Sequence, residues 1–379
     1  MRLSRIILYS LFLFSACVTP FDVSNNFQEI LVVEGMISDQ PGPYLVKISK
    51  AIPIDQQLDK LVVVSNATVT IQDDQGNSEP LTEQTSGNYY TKFFQGIVGR
   101  SYSLKIITQE GAIYQSATEK LLPIGDFSNL RSEFRQNEPP LTNGQVTSTN
   151  GFNIYLDSEV LPEQEERVWW RWIGTYEIFT FPELRLKILA TNPPREPPLL
   201  IPDPPPCSGY TIVNANRPSA TKFGPLADCQ CCTCWVSQYS DVPLISDPKF
   251  IANGKINNQY IGFIEANRRT FYSKYYIEVE QLSVSKAVYD FWKNVLTQKG
   301  NSSNLFQTPP PKTKGNISVV TANSTPVVGY FAASSIKKHA ITLNRSDVET
   351  HYRLLPIDTI KESCVTAQKY STTKKPIFW

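Results

Sequence analysis

Cysteines carry most of the chemistry open to this 379-residue chain. Cys207, Cys229, Cys231, Cys232, Cys234 and Cys364 lie in the C-terminal half, and the middle four form the run C-x-C-C-x-C. The run holds two interleaved CxxC pairs, Cys229 with Cys232 and Cys231 with Cys234, so zinc or an iron–sulfur cluster must be weighed. Thiolates this crowded cannot surround a tetrahedral ion as two separated CxxC knuckles do, and an even number of cysteines in an exported chain favours disulfides. Three disulfides are expected, with their connectivity open. Adjacent residues on a strand point to opposite faces, so Cys231 and Cys232 should take different partners. Other reactive groups are scarce. His339 and His351 are the only histidines, and no G-x-S-x-G, H-E-x-x-H or glycine-rich phosphate loop occurs. Glu163, Glu165 and Glu166 follow Pro162 in a charged stretch that reads as a solvated loop rather than a glycosidase pair. No enzyme activity, cofactor or metal is expected.

The seventh cysteine has a different setting. Arg2 and Arg5 precede an apolar run from Ile6 to Phe14, and Ser15 and Ala16 then lead into Cys17. The run is too short to span a bilayer as a helix and reads as a cleaved export signal over residues 1–16. Small residues directly before a cysteine resemble a bacterial lipobox, although Phe14 stands where an aliphatic is usual, with Leu13 beside it. Cys17 is therefore the expected lipidated N-terminus, with residues 18–26 as its tether. Several acyl chains at about 0.8 kcal/mol per buried methylene would anchor it firmly.

The remainder has the texture of β-sandwiches. Basic and acidic residues balance at 36 against 35, with no cationic stripe, which argues against nucleic acid. Short apolar runs rich in Val, Ile, Thr and aromatics are punctuated by 28 prolines, which favours strands over helices. Two domains are expected, at 27–123 and 124–379. In the first, Leu31–Val33 and the alternating Tyr44, Val46, Ile48 suggest a hairpin. Ala67, Val69, Ile71, the turn from Asp73 to Asn77, and the Tyr102, Leu104, Ile106 alternation follow. Asp73 and Asp74 lack the later acidic closure of a calcium loop and read as turn residues. This order resembles a transthyretin-like or carboxypeptidase-regulatory-like sandwich of the immunoglobulin-like kind.

In the second domain, Trp170, Trp172 and Tyr176 share one face of a strand while Trp169 and Ile173 share the other. One face should be core, and an exposed aromatic face would suit ligand stacking or a partner. The excursion 192–234 opens with Pro193, Pro194, Pro197, Pro198, Pro202, Pro204, Pro205 and Pro206. Such a run predicts extended polyproline geometry without sheet pairing, pinned by the cysteine cluster, and makes Pro193, Pro197 and Pro204 a candidate partner surface. The cysteines are also expected to hold a C-terminal strand near Cys364. One amphipathic helix is predicted from Ser285 to Gln298, capped by Ser285, with Phe291 and Trp292 on its core side.

Several segments together resemble a Bacteroidota lipoprotein family, the domain of unknown function DUF4249. They are Leu31–Gly35 with Ile37–Asp39, the tryptophan-rich strand, Cys234–Trp235, Tyr275–Gln281 running into Tyr289, Phe291 and Trp292, Gly315–Asn316, and Val328–Ala333. The resemblance covers nearly the whole mature chain. It implies an outer-membrane lipoprotein, encoded beside TonB-dependent receptors, with the body on the cell surface, although Asp22 alone stands in for the acidic export signal common after the lipidated cysteine. Asp358-Thr359-Ile360 matches the short O-glycosylation pattern of that phylum, with Thr359 as acceptor. The expected function is an accessory subunit of an outer-membrane β-barrel complex, a TonB-dependent transporter or the barrel-assembly machinery. The alternative is a module that captures a glycan or peptide for uptake.

Overall fold

The computed structural model describes residues 29–51, 62–138, 149–164, 167–213, 222–240, 242–301, 315–322, 324–354 and 357–379. The export signal, Cys17, the tether, Glu165 and Glu166 lie outside the described residues. Seven elements position the site: β1 (Ile30–Ser38), β2 (Leu45–Ala51), β3 (Val168–Phe179), β4 (Lys274–Ser283), α1 (Lys286–Asn301), β5 (Val327–Ser334) and β6 (Ile336–Asn344). The architecture is mainly β, two sandwiches with α1 packed beside both, and no helix among the described residues is long and apolar enough to cross a membrane.

The first sandwich obeys the period of two. Leu31, Val33 and Ile37 of β1 and Val46 and Ile48 of β2 face Val69, Ile71, Leu104 and Ile106 of the opposite sheet. Strands β1 and β2 pair antiparallel, as expected of the hairpin. The Asp73 side chain accepts from the Gln75 and Asn77 N–H groups, which makes 73–77 a plain turn.

The boundary at residue 123 divides the sequence but not this sandwich. Its first sheet runs β5, β1, β2, then Asn88–Tyr90 and Thr82–Thr85, and the parallel strand β5 comes from far along the chain. Ile317–Val319 likewise extends the second sheet beside Ile113–Ser116. Strand β5 is buried on both faces, as parallel strands usually are. Phe331 and Ala333 enter the sandwich core, whereas Tyr330 and Ala332 join a small separate core with Val284, Val288 and Tyr289 around α1. The Asn316 amide fixes the strand by donating to the Phe331 carbonyl at 2.8 Å and accepting its N–H at 2.9 Å.

In the second sandwich, β6, β4 and β3 continue into Thr233–Tyr239 and Ser371–Thr372. This sheet faces Phe127–Glu138, Thr149–Glu159 and Lys255–Glu265. Trp170, Trp172, Tyr176, Ile277 and Val279 pack against Phe152, Ile154, Leu156 and Ile264. The buried Trp170 indole donates to Gln281 at 2.7 Å, and Gln281 donates to the Gly125 carbonyl at 2.8 Å, so both buried polar groups are satisfied. Helix α1 matches the predicted amphipathic helix, and the Ser285 hydroxyl accepts the Val288 N–H at 3.2 Å as its cap.

Close backbone approach makes β5 sensitive to one methyl group. Gly329 has φ +131°, and a Cβ there would lie 1.9 Å from the Val33 carbonyl oxygen of its paired strand. Gly329→Ala should therefore destabilise the protein by at least about 1–3 kcal/mol, read as a lower urea midpoint, whereas Gly76→Ala, where nothing lies within 4 Å, should cost less.

Candidate functional site

The outer faces of the two sandwiches meet in a cleft of about 600 Å³. One wall is the outward side of β1 and β2, where the residues between the core positions point: Val32, Glu34, Met36, Leu45 and Lys47. The other is the outward side of β3, β4 and β6, and α1 closes one end. Past Trp169 and Arg171 the cleft opens into a second recess of about 960 Å³ that takes in Ile173, Gln238, Tyr239 and Tyr370.

Two kinds of group converge here. Aromatic rings form a chain: Trp169 to Trp292 at 5.4 Å, Trp292 to Phe291 at 5.2 Å, and Phe291 to Tyr330 at 5.3 Å. Beneath them lies a row of charges. Register places Arg171 of β3 opposite Glu280 of β4, and Glu280 opposite Lys338 of β6. The Arg171 Nε bonds one Glu280 oxygen, and Lys338 Nζ reaches the other at 2.5 Å. The Arg171 guanidinium also lies 5.9 Å from the Trp169 ring centre. Burial alone would push the Glu280 carboxyl up, but the flanking Arg171 and Lys338 cations hold it below the ordinary glutamate range. Glu280 thus stays ionised and fixes both cations at the floor of the cleft. On the facing wall Glu34 stands opposite Lys47.

Trp169, Trp170 and Trp172 were all candidates for a partner or ligand surface, and the structure puts Trp170 and Trp172 on the core face of their strand and Trp169 on the other, the division that strict alternation along a strand predicts. Trp170 is fully buried and Trp172 is 8% exposed, because both occupy the inward positions of β3. Trp169, at an outward position, alone stands among the cleft's chain of rings. Phe291 and Trp292, expected in the core, are only half buried and line the cleft. The charge row was missed, since its members lie on three strands far apart in sequence. The available signal was the alternation of Arg171 between tryptophans and of Glu278 with Glu280.

The proline-rich run is unpaired only in part. Leu186–Ile188 and Leu200–Pro202 pair antiparallel, and Pro193 and Pro197 sit exposed in the connection. The prolines cluster where ladder donors are not needed, while the Leu and Ile residues on either side supply the strands. Asp203 pairs with Arg185 at 2.7 Å and Lys187 at 3.0 Å at the base of this arm, close to the half-buried Pro204. Leu186, Ile188 and Leu200 are exposed on it.

All six described cysteines are paired: Cys207–Cys231, Cys229–Cys232 and Cys234–Cys364. Cys231 and Cys232 do take different partners, although both precede the strand Thr233–Tyr239 rather than lie in it. Cys364 begins the short helix Cys364–Ala367, and the C-terminal strand follows at Ser371–Thr372. Among the described residues no group of three or more His, Cys, Asp or Glu side chains is placed to hold a metal. Thr359 is exposed at the rim of a smaller recess beside Phe179 and Tyr272, and Glu163 is exposed in a short 3-10 turn.

Two outcomes follow. None of these six cysteines should react with an alkylating agent until the protein is both unfolded and reduced, as read by intact mass. Glu280→Gln should lower stability by about 1–3 kcal/mol at neutral pH, less than for fully buried pairs, because the Arg171 and Lys338 side chains remain 34% and 39% exposed. A depressed carboxyl stabilises above its unfolded value, about 4.3, and loses that contribution as pH falls through the folded value. The wild-type urea midpoint should accordingly fall more steeply below pH ~4.3 than that of the variant.

A family model described as a domain of unknown function (DUF4249) matches residues 18–340. No curated protein matches the chain. The match takes in strand β5 and all three members of the charge row, and with most of its length inside that model the chain belongs to the DUF4249 family.

Proposed function

We propose that this chain is a non-enzymatic outer-membrane lipoprotein, anchored through Cys17 with its body at the cell surface, that captures a nutrient ligand in the cleft between its sandwiches. The observation that carries this reading is the convergence of a chain of contacting aromatic rings with paired charges in a concave site between two sandwiches, the usual character of a ligand pocket. A glycan or a peptide fits the dimensions. The resemblance to lipoproteins encoded with TonB-dependent receptors suggests the route onward: the ligand passes to an outer-membrane β-barrel that the lipoprotein accompanies.

A second reading has its own support. The arm formed by Leu186–Ile188 and Leu200–Pro202 exposes apolar side chains on a braced hairpin, and preorganised apolar arms lower the ordering cost of docking. In that reading the chain is an accessory subunit that caps or stabilises a barrel.

The two readings separate in one set of measurements on full-length protein purified from membranes in mild detergent. A ligand present at about a hundred times its Kd should raise the melting temperature by several degrees, and Trp292→Ala should abolish that shift while replacement of residues 193–198 by a short turn leaves it intact. If no oligosaccharide or peptide in a broad array shifts the melting temperature, and a barrel co-purifies only when the arm is present, the accessory reading replaces capture. Cys17→Ala should move the protein out of the membrane fraction or leave it unprocessed; unchanged fractionation and mass would remove the lipoprotein assignment.

A further inference from the structure

We infer that the cleft is built for an acidic oligosaccharide, with Arg171 as the group that clamps its carboxylate. This rests on the capture reading above and names its ligand class. Charge points first to an anion. The charged residues lining the cleft are Lys47, Arg171 and Lys338 against Glu34 and Glu280, Glu278 beside them lies 3.4 Å from Lys338, and the adjoining recess adds Lys369, which leaves a small cationic excess. Glu280 is already consumed by its two neighbours, so it repels an incoming anion little.

Arg171 is the specific recognition element. Its Nε is held by Glu280, and its two terminal nitrogens bond no other described residue, leaving a planar fork in the cleft. A guanidinium fixed at one edge and free at the other matches a carboxylate with two parallel hydrogen bonds. The buried glutamate acts here as a positioning residue, since it sets the fork's direction without reaching the ligand. Trp169 lies against the same guanidinium and Trp292 follows at 5.4 Å, so a ring attached to the clamped carboxylate meets flat aromatic faces. The electron-rich face of an indole attracts the polarised C–H groups of a sugar ring.

Topology then favours a sugar over a peptide. Extended peptides usually bind by adding to a free sheet edge, which supplies main-chain donors and acceptors. The cleft offers mainly the faces of its central strands, while β5 and β6, the end strands of their sheets, enter it only beside the crossing between them. Strand β1 is paired by β5 and β2, β3 by β4 and Thr233–Tyr239, and β4 by β3 and β6. Along these paired strands recognition comes from side chains, which suits rings and carboxylates. The extension of the cleft past Arg171 toward Tyr239 and Tyr370, themselves 5.5 Å apart, gives room for further sugar units.

The test is calorimetric titration of the full-length protein with three probes of matched length: oligogalacturonate, its methyl ester and oligoglutamate. Oligogalacturonate should bind at least about tenfold more tightly than the ester. Arg171→Lys keeps a cation beside Glu280 and removes the fork, so it should erase most of that preference by weakening the acid far more than the ester. Trp292→Ala should weaken both sugars, with circular dichroism reporting that each variant is folded. Equal affinity for acid and ester in the wild type would overturn the clamp while leaving capture in place. Binding of oligoglutamate without oligogalacturonate would overturn the sugar assignment in favour of an acidic peptide. Silence from all three probes alongside a hit in the broader array would overturn the acidic-sugar inference alone, and silence from every ligand would overturn it together with the capture reading.

Discussion

The segment from Val327 to Asn344 is the constraint on which the rest depends. It enters the first sandwich as β5, passes through the single residue Ser335, and continues into the second as β6. Each sandwich therefore owns half of one nearly unbroken strand. Polar contacts lock the crossing point: Asp39 accepts the Ile336 N–H at 2.9 Å, Gln40 donates to the Ile336 carbonyl at 3.0 Å, and Ser283 bonds both Ser335 and Leu122. A flexible linker would let the sandwiches hinge. Here the walls of the cleft are set by the same hydrogen bonds that complete the two sheets, and a cleft with fixed walls loses little entropy on filling.

Within that frame the charge row shows how a sheet can hold ionised groups at the floor of a cleft. Glu280 is nearly inaccessible, and burying a carboxylate is costly unless cations and hydrogen bonds compensate. The antiparallel register brings a cation to each side of it, from β3 and from β6, so neither carboxylate oxygen is left unpaired. Hydrophobic substitutes at these positions would serve stability as well or better. The row is better understood as a device that keeps one guanidinium and one ammonium in fixed places against an aromatic wall.

Much of this was legible in the residues. The period of two in Leu31–Ile37, in Val69–Ile71 and in Trp170–Tyr176 marks strands and their inward faces, because side chains alternate strictly along a strand. The Ser285 cap and the helical spacing of Val288, Phe291 and Trp292 mark α1. Two things were not legible. Pairing between β1 and β5 is a long-range choice that no local pattern encodes, so the first domain looked complete without it. The site itself arises where Arg171, Glu280 and Lys338 fall into register, and a shift of one residue on any of these strands would have turned its charge into the core. The proline run misled for a related reason: composition reports the missing donors of prolines but not that the flanking Leu and Ile residues pair.

Strand order also governs when the molecule can become native. Strand β1 appears early in the chain, but its parallel partner lies nearly three hundred positions later, as the 296-residue separation of Gln40 and Ile336 illustrates. Until that stretch has emerged, one edge of β1 and the apolar side chains beside it are open to wrong pairings with other chains. Contacts so distant in sequence carry a large loop-closure cost and slow the search. Both sandwiches wait for the last third of the chain, the first for β5 and the second for β6 and Ser371–Thr372, so neither sheet is complete before that stretch has emerged.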